Sequence, residues 1–268
     1  LNSIVFTSSS ENPTATSISR TFTWSTTSSF ASRTSDAPAG NDSDSGTVTA
    51  SAGSNTLTIT ARNDAPSLAL DFNTVLDGTA VVFQQGGSPI YVLDSSNPNK
   101  IGSATLSDID DSNMASASVV ISGNRATDNT DTLSVATPAG WTRSVNTLTA
   151  PGGGGTVTVA FDASTGTLTL TTASGSVSKA EYEALLEHVQ YQNSSLSPTA
   201  SGASRELTWT VTDANAAGDG AGSATGKSYM VIRDKNDAPI IAPTTGTVTY
   251  TEGDLTVPLP GIVITAVD

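Results

Sequence analysis

Along most of the chain, apolar and polar residues alternate in runs of four to six, which is the pattern of half-buried strands. The clearest pair is Thr156-Val157-Thr158-Val159 and Thr167-Leu168-Thr169-Leu170. The five residues Asp162-Ala163-Ser164-Thr165-Gly166 between them predict a hairpin. Further strands are predicted at Ser67–Phe72, Thr79–Phe83, Ile90–Leu93, Ile101–Leu106, Ala117–Ile121, Thr132–Val135, Arg205–Asp213 and Ser223–Arg233. One stretch has a different period. Ser178-Lys179-Ala180-Glu181 has capping-box spacing, and Tyr182, Leu185, Leu186 and Val189 follow at i, i+3, i+4 and i+7. A core-facing helix across the open end of a sandwich is expected there.

The pattern also repeats at long range. Leu1, Phe6, Pro13-Thr14, Arg20 and Trp24 recur as Leu186, Tyr191, Pro198-Thr199, Arg205 and Trp209, all 185 residues later. The phrase Asn63-Asp64-Ala65-Pro66 recurs as Asn236-Asp237-Ala238-Pro239, but 173 residues later. The first copy therefore holds 12 extra residues (185 less 173) after Trp24, expected in the loop-like run Ser28–Gly46. Thr47-Val48-Thr49 and Leu57-Thr58-Ile59 read as the last strands of that copy. Proline fixes φ and forces its predecessor into an extended conformation, so each Asn-Asp-Ala-Pro phrase ends one strand and aims the next. A third copy starts after Pro239: Tyr250-Thr251-Glu252-Gly253 parallels Phe83-Gln84-Gln85-Gly86, and Val263–Asp268 parallels Thr105–Asp110. The expected organisation is the C-terminal part of one repeat over 1–64, a complete repeat over 65–238 and the front of the next over 239–268. The first residue is Leu1 and falls inside a repeat, so any targeting segment is expected outside this sequence, in a longer tandem array.

Composition narrows the class. The 268 residues are 36% hydrophobic and only 13% charged, too apolar for a disordered tail. Formal net charge is −14, and the 11 basic residues are scattered without a patch for nucleic acid. No apolar run reaches the ~18 residues of a membrane span, so no membrane insertion is expected. With no cysteine, thiol catalysis and Cys-based zinc sites are excluded. His188 is the single histidine and lies on the predicted helix, where it reads as a structural helix-end residue. Neither a nucleophile elbow nor His-Glu-x-x-His occurs, so no enzyme is expected.

Taken in order, these motifs resemble the cadherin-like repeats of very large secreted bacterial surface proteins, including adhesins exported with RTX-type systems. The resemblance rests on Glu252-Gly253, Asp108-Ile109-Asp110, Ala117-Ser118-Val119, Gly166–Leu170, Tyr182…Leu186…Val189-Gln190-Tyr191, Arg205…Thr208-Trp209-Thr210-Val211-Thr212-Asp213 and Asn236–Pro239. It covers essentially the whole chain; the ordered set is specific where no single motif is. It implies an all-β fold of tandem Greek-key, cadherin- or Ig-like β-sandwiches with one short helix per repeat. It also implies an extracellular, secreted or cell-surface setting and calcium at the joints.

Calcium takes six to eight oxygens, largely carboxylates and carbonyls on loops. At the second joint, Asp234, Asn236 and Asp237 precede the proline, Glu252 and Asp268 lie in the next repeat, and Asp213 closes the preceding strand. Asp234-x-Asn236-Asp237…Pro239 is similar to the linker of cadherins with one Asn missing. At the first joint, Asn63, Asp64, Asp108, Asp110 and Asp111 remain; Gln85 stands where the Glu is, and Ser28 where Asp213 is. The second joint thus has the fuller set. Turn residues in Asx-turns are the competing reading of both. Asn41–Gly46, Asp128 and Asp131 read as loop residues with a weaker claim on an ion. Trp141, beside a Gly/Pro loop, is a candidate exposed platform for a sugar. The expected function is non-enzymatic: a structural and adhesion module whose partners are neighbouring repeats of the same or an identical chain. A filament subunit joined by strand complementation and a carbohydrate-binding module are the alternatives.

Overall fold

The structure, a computed structural model, describes residues 4–10, 12–14, 17–30, 46–70, 81–93, 103–216, 220–243, 245–253, 255–256 and 261–265. The chain forms two units, Leu1–Arg62 and Asn63–Asp268.

The first unit contains one long antiparallel hairpin, β1 (Ser19–Phe30) with β2 (Gly46–Thr58). The segments Thr47–Thr49 and Leu57–Ile59, expected as separate strands, both fall on or run off β2. Part of the insertion lengthens the hairpin itself, since β1 and β2 stay paired out to Phe30 and Gly46.

The second unit holds β3 (Ser67–Leu70), β4 (Val81–Gln84), β5 (Ile90–Tyr91), β6 (Ala104–Ser107), β7 (Met114–Gly123), β8 (Asp131–Val135), β9 (Thr142–Ser144), β10 (Thr147–Thr149), β11 (Gly155–Asp162) and β12 (Thr167–Gly175). The helix α1 (Lys179–Glu187) follows, then β13 (Val189–Asn193), β14 (Ser204–Asp213), β15 (Ser223–Arg233), β16 (Ile240–Pro243) and β17 (Ile262–Thr265). The main sheet has the order β4-β15-β14-β7-β12-β11-β10-β9, and β5-β13-β8 forms a second sheet. The fold is an all-β sandwich, as the alternation predicts. β11 and β12 form the expected hairpin, with Asp162 opposite Thr167.

Alternation places the core. Arg205, Leu207, Trp209, Val211 and Asp213 are the buried positions of β14, with an ionisable residue at each end of the strand's inner face. Trp209 is fully buried, and its indole N–H donates to Ser228 Oγ at 2.8 Å. Tyr182, Leu185 and Leu186 of α1 enter the same core. The capping box forms as predicted: Ser178 Oγ accepts from Glu181 N, and the Glu181 side chain accepts from Ser178 N. The helix ends two residues short of Val189, however. His188 is its C-cap, with Nδ1 2.6 Å from Ala184 O, and Val189 already starts β13. A β-branched residue at the start of a strand is better placed there than at the end of a third helical turn. Outside the helix core, Glu183 and Glu187 accept the backbone N–H groups of Leu106 and Ala104 at 2.6 and 3.3 Å, which satisfies donors on β6. Among the described residues no helix is long and apolar enough to cross a membrane.

The internal repeat recurs as geometry. Arg20 pairs with Leu57 across β1–β2, and its counterpart Arg205 pairs with Met230 across β14–β15. The Arg20 guanidinium donates to the carbonyls of Pro13, Ser17 and Ser19; Arg205 donates to those of Pro198, Gly202 and Ser204, each 185 residues on. Trp24 Nε1 donates to Asn55 Oδ1 as Trp209 does to Ser228, the counterpart of Asn55. Further along, Ile241 faces Ile264 in β16–β17 as Leu68 faces Leu106 in β3–β6.

Candidate metal centre

Three segments converge at the N-terminal pole of the second unit. The loop after β6 turns sharply because Asp108 Oδ1 accepts the N–H groups of Asp110 and Asp111 at 3.1 and 2.9 Å. α1 anchors this loop from behind: Lys179 Nζ donates to the carbonyls of Asp108 and Asp111, both at 2.7 Å. The lysine therefore spends its hydrogen bonds on backbone and leaves the carboxylates to face elsewhere. The second segment is the start of the unit, where Asp64 N–H donates to Asp110 Oδ2 at 3.2 Å. The third is the end of β14. Asp213 Oδ2 accepts from Asn63 Nδ2 at 2.8 Å and from Gly222 N at 2.9 Å, and Oδ1 accepts from Asn215 N. A Cβ on Gly222 would lie 2.6 Å from Ala65 Cα, so the backbone closes here too tightly for any side chain.

Oxygens outnumber donors at this pole. Asp108, Asp110 and Asp111 each present an oxygen within 4.8 Å of the others. Asp108 Oδ2 and Asp110 Oδ1 are buried and accept no hydrogen bond. Burial pushes the Asp111 carboxyl above its usual range; the Ala216 N–H pulls it back, and repulsion from Asp213 and Asp108 adds to the rise. Buried carboxylate oxygens without donors are costly, and close like charges compound that cost. A hard cation removes both penalties at once. Asp108, Asp110 and Asp111 bring the oxygens together, and Asn63, Asp64 and Asp213 border them, a set of carboxylates and amide oxygen of the type calcium takes.

The strand directions explain why the set differs from the sequence grouping. β14 and β15 are antiparallel, with Thr212 opposite Ser223 and Ser204 opposite Val231. Asp213 therefore lies at the N-terminal pole, with Asn63, and Asp234 lies beyond the other end of the pair, roughly 40 Å away at ~3.3 Å per residue. Asp213 belongs with Asn63 and Asp64, in the place the sequence grouping gave to Ser28. β4 runs parallel to β15, with Gln84 opposite Arg233, which puts Gln85 beside Asp234 and not beside Asn63. Glu252, the counterpart of Gln85, accordingly corresponds to the far end of the following repeat; it is exposed on a turn.

The remaining candidates are placed as follows. Asp234 accepts from Thr199 N at 3.0 Å and from the Thr199 hydroxyl. Asp237 accepts from Gln85 Nε2 at 2.5 Å, and exposed Asn236 donates to Asp237 O. These three are not gathered with Glu252 into one cluster. Asp268 and residues 41–45 lie outside the described residues; in sequence, the third-copy counterpart of Asp108 is Ala266. Asp128 caps a turn by accepting from Thr130 N and Oγ1. Asp131 is fully buried and accepts from Arg205 Nε at 2.8 Å, Ala126 N at 2.7 Å, Asn193 Nδ2 at 2.7 Å and the Tyr191 hydroxyl. Trp141, expected to be exposed, is 7% exposed and belongs to the core, because the short β9–β10 hairpin that the sequence reading missed follows it immediately. Its indole offers no platform to a sugar. The sequence reading also missed Lys179, whose role as anchor depends on where α1 meets the loop.

No known family profile matches the chain, and no curated protein matches it. Among solved structures it is similar to one described as "Protocadherin gammaB7 EC3-6 cis-dimer structure", at 13% identity and a TM-score of 0.31, over 84% of this chain and 36% of that one. The chain thus spans little more than a third of that neighbour. The fold assignment rests on the strand pairing itself.

Proposed function

We propose that the chain is a non-enzymatic, extracellular structural and adhesion module of a large bacterial surface protein. In this reading its sandwich repeats are stiffened by calcium. The observation that carries it is the pair of buried, donor-less oxygens, Asp108 Oδ2 and Asp110 Oδ1, at the pole where Asn63 and Asp64 enter the second unit. An ion there would tie the first residues of the unit, the loop after β6 and the end of β14 into one body. The extracellular and bacterial setting rests on the ordered motif set, and the absence of cysteine is compatible with it. Calorimetric titration with calcium chloride, together with melting in calcium and in EGTA, tests the reading. Binding lost in the double variant Asp108→Asn/Asp110→Asn supports it; equal melting in both buffers would sink it.

Assembly by strand complementation is the second reading, prompted by the exposed Ile241, Val263 and Ile264 of β16–β17 and the exposed Ile4 and Val5. The two segments correspond in sequence to residues 67–110 and 186–235 of the complete repeat. Strand complementation predicts polymers that survive dilution in sedimentation, and monomers on dilution would overturn it.

A further inference from the structure

The C-terminal pole of the second unit is closed in another way, and Gln85 is at its centre. This side chain is only 7% exposed. Its Nε2 donates to Leu196 O at 2.8 Å and to Asp237 Oδ2 at 2.5 Å. Its Oε1 accepts from Lys235 N at 2.6 Å. The amide orientation follows from these partners, since a flipped amide would set Oε1 against both a carbonyl and a carboxylate. Both amide hydrogens and the carbonyl are thus used on the connection after β13 and the segment leaving β15. Gln84 continues the clamp, donating through Nε2 to the carbonyls of Arg233 and Asp234 at 3.2 and 2.9 Å. The Gln85 backbone N–H donates to Arg233 O at 2.9 Å.

A carboxylate in place of this amide would keep the bond from Lys235 N–H but lose both donors. It would also face Asp237 with like charge. That arrangement needs a cation. We propose that Gln85 takes the place of a divalent ion at this pole, so that Arg233–Asp237 is held without calcium while the N-terminal pole depends on it. This rests on the calcium reading for the N-terminal pole only. The repeat would then be calcium-sensitive at one end, and residue 85 would decide the sensitivity of the other.

Hydrogen exchange on the full 268-residue chain, followed at 63–65, 108–111 and 233–238 in calcium and in EGTA, tests this. EGTA should speed exchange at the first two segments by about tenfold or more and leave 233–238 nearly unchanged, as expected when one local opening equilibrium shifts and another does not. Gln85→Glu should make 233–238 exchange about tenfold faster in EGTA and recover in millimolar calcium, in keeping with the loss of roughly one charge-assisted hydrogen bond. Gln85→Met, similar in size but without polar atoms, should speed that segment equally in both buffers and so separates the clamp from simple misfolding. If EGTA loosens 233–238 in the unsubstituted chain, or if Gln85→Glu gains no calcium dependence, the proposal is overturned. If only the N-terminal segments ignore EGTA, the calcium reading fails and the amide clamp stands on the two Gln85 variants.

Discussion

The two ends of β14 pose the same electrostatic problem and solve it differently. At one end Asp131 lies fully buried against Arg205, and four groups donate to its two oxygens. At the other end Asp213 repels Asp111, which clusters with Asp108 and Asp110, and two buried carboxylate oxygens there have no donor. Burial alone would raise the Asp131 carboxyl, but the hydrogen bonds from Arg205, Ala126, Tyr191 and Asn193 outweigh it and hold the group below its usual range. Burial and neighbouring charge raise Asp111. A buried acid with its donors built in is a structural part. A buried acid short of donors is the feature on which the proposed cation site rests.

The largest expected effect comes from breaking the satisfied end. Arg205→Met removes the guanidinium and leaves Asp131 buried without its counter-charge, at a cost of about 3–5 kcal/mol. Denaturant unfolding measures it. Calcium should not restore the loss, because the acceptors exposed by this variant lie at the pole that holds Arg205, away from the acidic cluster. Recovery in calcium would mean that the two ends are not independent.

Next in size is the unsatisfied end. A ligand that binds only the folded chain adds about 2.7 kcal/mol at a hundred times its dissociation constant. Melting in calcium should therefore rise clearly above melting in EGTA. Asp108→Asn/Asp110→Asn should abolish that difference and melt at or above the unsubstituted chain in EGTA, since it removes like charge. A double variant that is less stable in EGTA would show the carboxylates to be structural already.

Much of this contrast was legible in sequence and part of it was not. Alternation and turn chemistry give most strands of the second unit to within a few residues, but not the short β9 and β10 or β13, whose first residue reads as helix; Ser178-x-x-Glu181 marks the start of α1. The offsets carry the repeat down to individual hydrogen bonds, as Arg20 and Arg205 show. Grouping the acids failed where it needed strand direction. Asp213 and Asp234 are close in sequence order but sit at opposite poles because β15 reverses the chain. Gln85 joins Asp237 through a parallel pairing between β4 and β15, strands separated by more than a hundred residues, and no local pattern encodes that. The Thr199–Asp234 contact had no such signal, since Pro13-Thr14 recurs as Pro198-Thr199 but the first-copy counterpart of Asp234 is Ala61.

Acid gives a signed version of the same contrast. Asp131 is depressed in the folded chain, so its contribution is present above the unfolded carboxyl value, near pH 4, and is lost as pH falls through the folded value. Asp111 is raised, so in EGTA its ionisation subtracts stability as pH rises from the unfolded value through the folded one. Mild acidification from neutral should then favour the ion-free fold slightly. With calcium bound the sign reverses, because protons compete with the ion for the same oxygens. Melting from pH 7 down to 4.5 in the two buffers should give slopes of opposite sign; parallel slopes would remove Asp111 from the site.

The smallest effect tests the C-terminal pole where it is simplest. Asp234 accepts from both the backbone N–H and the hydroxyl of Thr199. Thr199→Val keeps the shape and the backbone bond but deletes the hydroxyl, so one oxygen of Asp234, which is half-buried, must turn to water. A lost hydrogen bond to a charged group at such a site costs about 1–2 kcal/mol. The informative quantity is its dependence on calcium rather than its size. If Asp234 is held by protein donors alone, the cost is the same in calcium and in EGTA. If Asp234 also serves an ion, the hydroxyl competes with that ion, and the cost shrinks in calcium. The unequal-pole picture requires the first result, and a double-mutant cycle with Gln85→Met would then show whether Thr199 and Gln85 close the pole together or separately.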